Sequence, residues 1–544
     1  MAVTLPIGGT MKSSLRAGAQ VKVEIRVQQS GISDLLPETE AIVLVTDTLG
    51  DGPSAEHVVA VDGPAVPLVD GRFMPADRAG RLKLNAWATV MHTVQMYEQS
   101  LGSRIHWSFG PRLGVEASAG QMQNAFYDPR AGRIRLFHFV DTRGERFDTA
   151  ESRDIVAHET GHAIFDALCP DLANSLHPDG LAVHEAVADL TAMLSVLGAD
   201  GVARALAGQP MERFPAFLGD IAEGFRGSIQ SSRMGSLRSL GNDFRLPGGD
   251  SPPALDFLPE DDFGMDIGPP VPTGLIDSIW PHDRSQVLSG AMFNMLLAIR
   301  RHHEESAMEL DPARWDEISA ELAAGMFENF SREILPPLLY LPPGELQFDD
   351  FVRTYLALDN WSWGLSEDAP RRGLSTPTDA PPLPGLGDDW SPERVWRDTS
   401  AARDFVESHR SLLGLPPGVP FELMPRLRRS RETDFREVEE VIMKVSWECL
   451  EPNSLGPPKR AVRMGTTLAF DLQGAATVLL AARPPSDASR QARDEHLVRL
   501  QPLLGGGVDA DDTGGVLRVR GTVRTLHVLA EELDNYTSTD GGQR

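Results

Sequence analysis

Two histidines four residues apart, with a glutamate directly after the first, leave this chain few ways to fold around them. They stand in His158-Glu159-Thr160-Gly161-His162, inside the segment from Ser152 to Leu168. Apolar Ile155, Val156, Ile164, Ala167 and Leu168 fit one buried side of a helix over that segment. Asp148 or Thr149 is placed to cap its start, and Pro170 to stop it. Positions i and i+4 share a helix face, so His158 and His162 can grip one metal ion together. Glu159 projects beside them, where a carboxylate can act as general base on water at the metal.

A catalytic zinc needs a third protein ligand and an open position. The next acidic candidates lie in Leu181-Ala-Val-His-Glu-Ala-Val-Ala-Asp-Leu-Thr-Ala-Met193, where Glu185 and Asp189 are one helical turn apart. A second helix packed on the first would bring Glu185 to the metal. Asp189 would then accept the free N–H of a ligand histidine and fix its tautomer. His184 competes for the ligand role, although it faces about 100° away from Glu185 on a helix. So short a motif also arises by chance on amphipathic helices; the Glu-x-x-x-Asp segment that follows is what favours a zinc site here.

The rest of the composition excludes several classes. Lys and Arg total 51 against 78 Asp and Glu in 544 residues, a net charge of −27. So acidic a surface argues against nucleic acid or an anionic membrane as partner. Two cysteines, Cys169 and Cys449, make no disulfide framework. The first residues, Met-Ala-Val-Thr-Leu-Pro-Ile-Gly-Gly-Thr-Met-Lys, lack the apolar core of a signal peptide, and no stretch reads as roughly 18 consecutive apolar residues. The expectation is a cytoplasmic protein, with export by a non-classical route left open.

Along the chain, β-like runs at Val21–Val27, Ala41–Val45 and His57–Val61 suggest an N-terminal β region over residues 1–75. A catalytic domain is expected over 76–364. Leu84–Leu101 reads as an amphipathic helix with Trp87, Val90, Met91, Val94 and Tyr97 on its core side. Asp128–Gly132 reads as a turn between two strands. Helices are expected again at Asp283–His302 and Leu346–Leu358. The acidic run from Glu260 to Asp266 could bind calcium, but it lacks a regular ligand loop and reads as a solvated loop. Residues 365–392 form a Pro-rich linker by composition, and 393–544 a separate small α+β domain of unknown role. Strands are expected there at Glu440–Trp447, Arg463–Asp471, Ala475–Leu480 and Val516–Leu529, with a helix at Asp487–Leu500.

Together these pieces resemble the thermolysin and fungalysin group of zinc peptidases, the gluzincins. His158, Glu159 and His162 match the family's metal helix, and Glu185 with Asp189 matches its partner helix. Asn124-Ala125 resembles the edge strand that binds substrate backbone, and Arg238 in Gly235-Ser-Leu-Arg-Ser-Leu240 resembles the arginine that holds a substrate carbonyl. The segment from His282 to Asn294 resembles the helix bearing a second catalytic histidine, with Asp277 placed to orient it. The resemblance implies a two-lobed α+β catalytic domain acting on peptide or protein substrates. Its metal ligands are His158, His162 and Glu185, with Glu159 as general base and His282 stabilising the oxyanion. The tyrosine that thermolysin places after its metal helix has no counterpart between Pro170 and Gly180. Two other readings stay open: a weak or inactive binding protein of the same fold, and a metal-dependent hydrolase of a non-protein substrate.

Overall fold

The computed structural model describes residues 21–26, 40–45, 53–63, 65–69, 72–141, 144–198, 202–207, 209, 218–221, 238–247, 273–277, 280–310, 315–358, 363–374, 383, 385–386, 390–432, 437–454, 456–500, 509–511 and 516–520. The fold is α+β. The acidic run from Glu260 to Asp266 lies outside the described residues, as does most of the stretch from 203 to 244.

A four-stranded sheet runs in the order Val58–Ala60, Leu113–Glu116, Arg133–Leu136, Ala125–Asp128. The first three strands are parallel, and the last turns back antiparallel, pairing Ala125 with Leu136 and Asp128 with Arg133. The turn at 129–132 closes the hairpin, with Gly132 at φ 59° against the Phe109 ring. The boundary expected at residue 75 moves. Val58–Ala60 belongs to this sheet, and Val58 and Val66 are buried in the main core, so a break after 75 would cut through it. Val21–Arg26 and Glu40–Val45 pair with each other.

Behind the sheet lies a helix at Arg78–Leu101. Asp77 caps it, accepting from the Gly80 amide at 2.8 Å, and Gly102 ends it in the left-handed conformation. Trp87, Val90, Met91, Val94 and Tyr97 are all fully buried, the i, i+3, i+4, i+7 stripe of a core-facing helix. Two further helices cross below it: a motif helix at Arg153–Leu168 and a partner helix at Pro178–Leu197.

The partner helix is long and apolar enough to span a membrane by length and mean hydropathy alone, although Asp179, His184, Glu185 and Asp189 interrupt its apolar run, and every residue of it is buried inside the protein. Its apolar character follows from contact on all sides. A fourth long helix, Pro281–Leu310, packs against it.

The expected linker begins too early. Trp363–Arg371 is helical, with Leu365 and Ala369 buried one turn apart and Arg372 buried against Asp368, Asn242 and Phe244. Proline-rich composition further along masked this last apolar turn.

Residues 421–520 build a seven-stranded sheet around the long antiparallel pair Glu437–Pro452 and Lys459–Asp471. The two-residue period of a strand divides its faces. Val441, Met443, Val445 and Trp447 pack with Val395, Ala402, Phe405 and Val406 from the short helices Pro392–Arg397 and Thr399–Ser408. Ile442 and Ala469, on the opposite face, join the main core instead. The C-terminal unit therefore has its own core and is docked by its other face. Buried polar contacts fix the docking: Tyr340 Oη donates to Glu440 at 2.7 Å, and Arg493 Nη1 meets Glu345 at 2.9 Å.

Candidate metal and catalytic site

The motif and partner helices approach closely where the sequence is smallest. A Cβ on Gly161 would lie 2.8 Å from Thr191 Oγ1 and 2.9 Å from Ala188 Cα, so only glycine fits there at this separation. The close approach lets a carboxylate on the partner helix reach two imidazoles on the motif helix. His158 Nε2 and His162 Nε2 are 3.0 Å apart, and Glu185 Oε2 lies 3.5 Å from the first and 3.6 Å from the second. All three residues are buried, and their donor atoms lie within 4.8 Å of one another. Two imidazole nitrogens and one carboxylate oxygen, all from side chains that rigid helices hold, form a set that can hold a metal ion.

Each histidine is fixed from behind. His158 Nδ1 donates to Asp189 Oδ1 at 2.9 Å, and Asp189 is fully buried. The proton on Nδ1 leaves the Nε2 lone pair facing His162 and Glu185. His162 Nδ1 lies 2.6 Å from His184 Nδ1, with the two rings stacked at 4.8 Å. His184, a rival for the ligand role by sequence, thus faces the far nitrogen of His162 rather than the cluster. With the His162 proton on Nδ1, His184 would accept it as Asp189 accepts that of His158.

Helix termini are held differently from the sequence expectation. Ser152 occupies the N-cap of the motif helix, without a side-chain cap hydrogen bond. Thr149 Oγ1 instead donates to the Phe137 carbonyl at 2.9 Å, and Asp148 pairs with Arg78 and Arg146 at 2.8 and 2.7 Å. Both are committed to tying the sheet to this corner, so neither reaches the helix amides.

Glu159 is buried beside the cluster, and its Oε2 accepts from the backbone amide of Tyr127 at 2.9 Å. Tyr127 lies on the edge strand Ala125–Asp128, so one hydrogen bond locks this carboxylate to the sheet's open edge. The tyrosine side chain is anchored in turn: Tyr127 Oη donates to Asp166 Oδ2 at 2.8 Å, and Ser108 Oγ donates to the same oxygen at 3.1 Å. Burial pushes the Asp166 carboxyl up to about 6, against the stabilising effect of these donors. Tyr127 and Asp166 carry no sequence motif. Tyr127 acts through a main-chain N–H, which any residue there would supply, and only the i+7 spacing of Asp166 from Glu159 hints at a shared helix face.

His282 stands one residue into the helix Pro281–Leu310, partly exposed, with Nε2 3.3 Å from Glu185 Oε2. Asp277 is exposed and has no hydrogen bond or ion pair among the described residues, so nothing there ties it to His282; the Glu185 carboxylate faces that ring. Asp277 lies two residues past the strand Thr273–Leu275, which pairs in parallel with Asp243–Arg245. Asn124 Oδ1 accepts from the Ala125 amide at 2.7 Å at the start of the edge strand. The backbone of Arg238 forms a two-residue strand with Asp220–Ile221, and its side chain lies outside the described residues.

Comparison of the sequence with protein-family models and with curated proteins gives no match.

Proposed function

We propose that the chain is a zinc-dependent endopeptidase acting on peptide or protein substrates, with a two-lobed catalytic body of the thermolysin-like kind. One observation carries the reading: Glu159 is held by the Tyr127 amide at the open edge of a sheet, directly beside the His158–His162–Glu185 cluster. A general base, a metal-binding triad and a strand at the edge of a sheet are three parts that suit hydrolysis of an extended peptide.

The sheet with its edge strand and the motif helix would form one wall of the cleft. The partner helix and the His282 helix would form the other. A substrate segment would add antiparallel at Asn124 and Ala125, along the outer edge of that strand. Arg238 would hold a substrate carbonyl from the opposite side. Zinc, when bound by His158, His162 and Glu185, supplies Lewis acidity to the scissile carbonyl and lowers the pKa of adjacent water.

Glu159 takes the proton from the attacking water and later delivers it to the leaving amine. The Tyr127 N–H constrains one oxygen of this carboxylate and so fixes its orientation. His282, with its Nε2 over Glu185, donates to the oxyanion as the carbonyl becomes tetrahedral. Asp189 and His184 keep the two ligand imidazoles turned so that both Nε2 atoms face inward.

The test is hydrolysis of a peptide library by the full chain, before and after chelation and after zinc is restored. Cleavage that chelation abolishes and zinc restores is expected. Zinc uptake without any peptide cleavage would contradict the peptidase reading and favour a hydrolase of another substrate or a binding protein.

A further inference from the structure

The C-terminal unit reaches toward the candidate site through one continuous set of buried polar contacts. Arg493, on the helix Asp487–Leu500, pairs with Glu345 at 2.9 Å and with Glu451 at 2.7 Å. The other oxygen of Glu345 accepts the Leu176 amide at 2.7 Å, and His496 Nδ1 donates to the Leu176 carbonyl at 2.8 Å. Both main-chain groups of Leu176 are therefore held by, or through, the C-terminal helix.

Leu176 leads straight into the cap of the partner helix. His177 is its N-cap, with Nδ1 accepting from the Asp179 amide at 3.2 Å. Asp179, in the first turn, is bound by Arg284 at 2.6 Å, and the Phe348 amide donates to its other oxygen at 3.4 Å. Burial works against ionisation of Asp179, but the Arg284 guanidinium holds its carboxyl below the usual carboxylate range. Arg284 is on the His282 helix, two residues past His282, and its guanidinium lies over the Phe348 ring at 5.4 Å. One ion pair thus joins the helix bearing Glu185 to the helix bearing His282.

We propose that Asp179 and Arg284 are positioning residues that set His282 against Glu185, and that the C-terminal unit braces this pair by clamping Leu176. The inference rests on the peptidase reading for its kinetic consequence, but not for the coupling itself. Two N–H groups of one guanidinium, Nε and Nη2, meet the same Asp179 oxygen at 2.6 Å, and a part-buried, charge-assisted contact of this kind at the start of two helices fixes their relative rotation better than apolar packing does. Released, the start of the His282 helix can shift by a fraction of a turn without loss of the core beneath it.

Two arms test this on the full-length chain. In the kinetic arm, Arg284→Gln should lower kcat roughly 10- to 100-fold, as expected for misplacement of a reacting group, with KM and zinc content unchanged. Added to His282→Ala it should cost almost nothing more, because both changes act through the same imidazole. Fully additive losses, or an unchanged kcat in the single variant, would overturn the positioning role; a merely structural effect of Arg284 would be additive.

In the exchange arm, backbone amide hydrogen exchange is compared between the parent and Arg493→Gln. Residues 176–184 and 281–290 should lose protection together. His496→Ala, which removes a smaller contact, should give the same pattern to a lesser degree and covers the case in which the Arg493 variant fails to fold. Changes confined to residues 487–500 would overturn the brace. Should the parent cleave no peptide at all, the peptidase reading fails in the kinetic arm while the exchange arm still decides the coupling.

Discussion

Asp189→Ala separates the orientation of a ligand from the ligand itself. Asp189 contributes no atom to the triad, yet it is fully buried and accepts the His158 Nδ1 proton at 2.9 Å. Alanine leaves that N–H facing a space where no carboxylate remains. An unsatisfied buried donor costs about 1–3 kcal/mol, which at about 1.4 kcal/mol per tenfold is roughly a 5- to 150-fold change in an equilibrium constant. The His158 ring can also turn over or change tautomer, and either move takes the Nε2 lone pair off the metal position. We expect zinc affinity to fall about 10- to 100-fold, the usual range for an outer partner of a ligand histidine. Asp189→Asn should fall between the two, since the amide oxygen still accepts the proton but brings no charge. The assay is competition for zinc against a chromophoric chelator, with circular dichroism to verify that each variant is folded. A folded Asp189→Ala protein that binds zinc as tightly as the parent would refute the reasoning, because the Nδ1 contact would then do nothing to orient His158.

Two other perturbations test neighbouring parts of the account. Gly161→Ala places a methyl 2.8 Å from Thr191 Oγ1 and 2.9 Å from Ala188 Cα, so it should cost about 1–3 kcal/mol of unfolding free energy and weaken zinc binding by parting the two helices; denaturant titration and zinc competition check both effects. Asp166 has its carboxyl raised from 3.8 to about 6 in the folded state, so its contribution to stability is present below the unfolded value and is lost as pH rises through about 6. That difference of about two units is worth roughly 3 kcal/mol, and Asp166→Asn should flatten the corresponding slope in urea unfolding measured between about pH 4 and 7. Asp350, also raised to about 6 by burial, retains its own share of the slope.

The site was legible from sequence where helix periodicity alone decides the geometry. His158 and His162, and Glu185 with Asp189, are i and i+4 pairs, and two packed helices leave little choice about which faces meet. His184 faces away from the cluster, as the 100° step from Glu185 predicts, but its contact with His162 Nδ1 depends on how far the partner helix is rotated about its axis, which no spacing within one helix reveals. Tyr127 was invisible because it works through its amide. Asp277 was placed by analogy in a loop, where sequence separation does not set direction. The fold followed the same division. Trp87 to Tyr97 and Asp487–Leu500 were readable from pattern, whereas the docking of the C-terminal unit was not. A strand such as Glu437–Pro452 buries both faces, Val441, Met443 and Val445 on one side and Ile442 and Lys444 on the other, so its alternation shows no solvent side. The ion pairs that seat it, such as Arg493 with Glu345, join residues far apart in sequence and leave no local signal.

Glu159→Gln, assayed for zinc content and for peptide turnover on the same preparation, bears hardest on the mechanism. The amide keeps the size of the side chain, and its oxygen can still accept the Tyr127 amide, now at 2.9 Å from Glu159 Oε2. It cannot take a proton from water. The account predicts one zinc per chain in parent and variant alike, with turnover in the variant reduced at least about 100-fold. Zinc retained together with near-parental turnover would contradict it, because Glu159 would then not be the base.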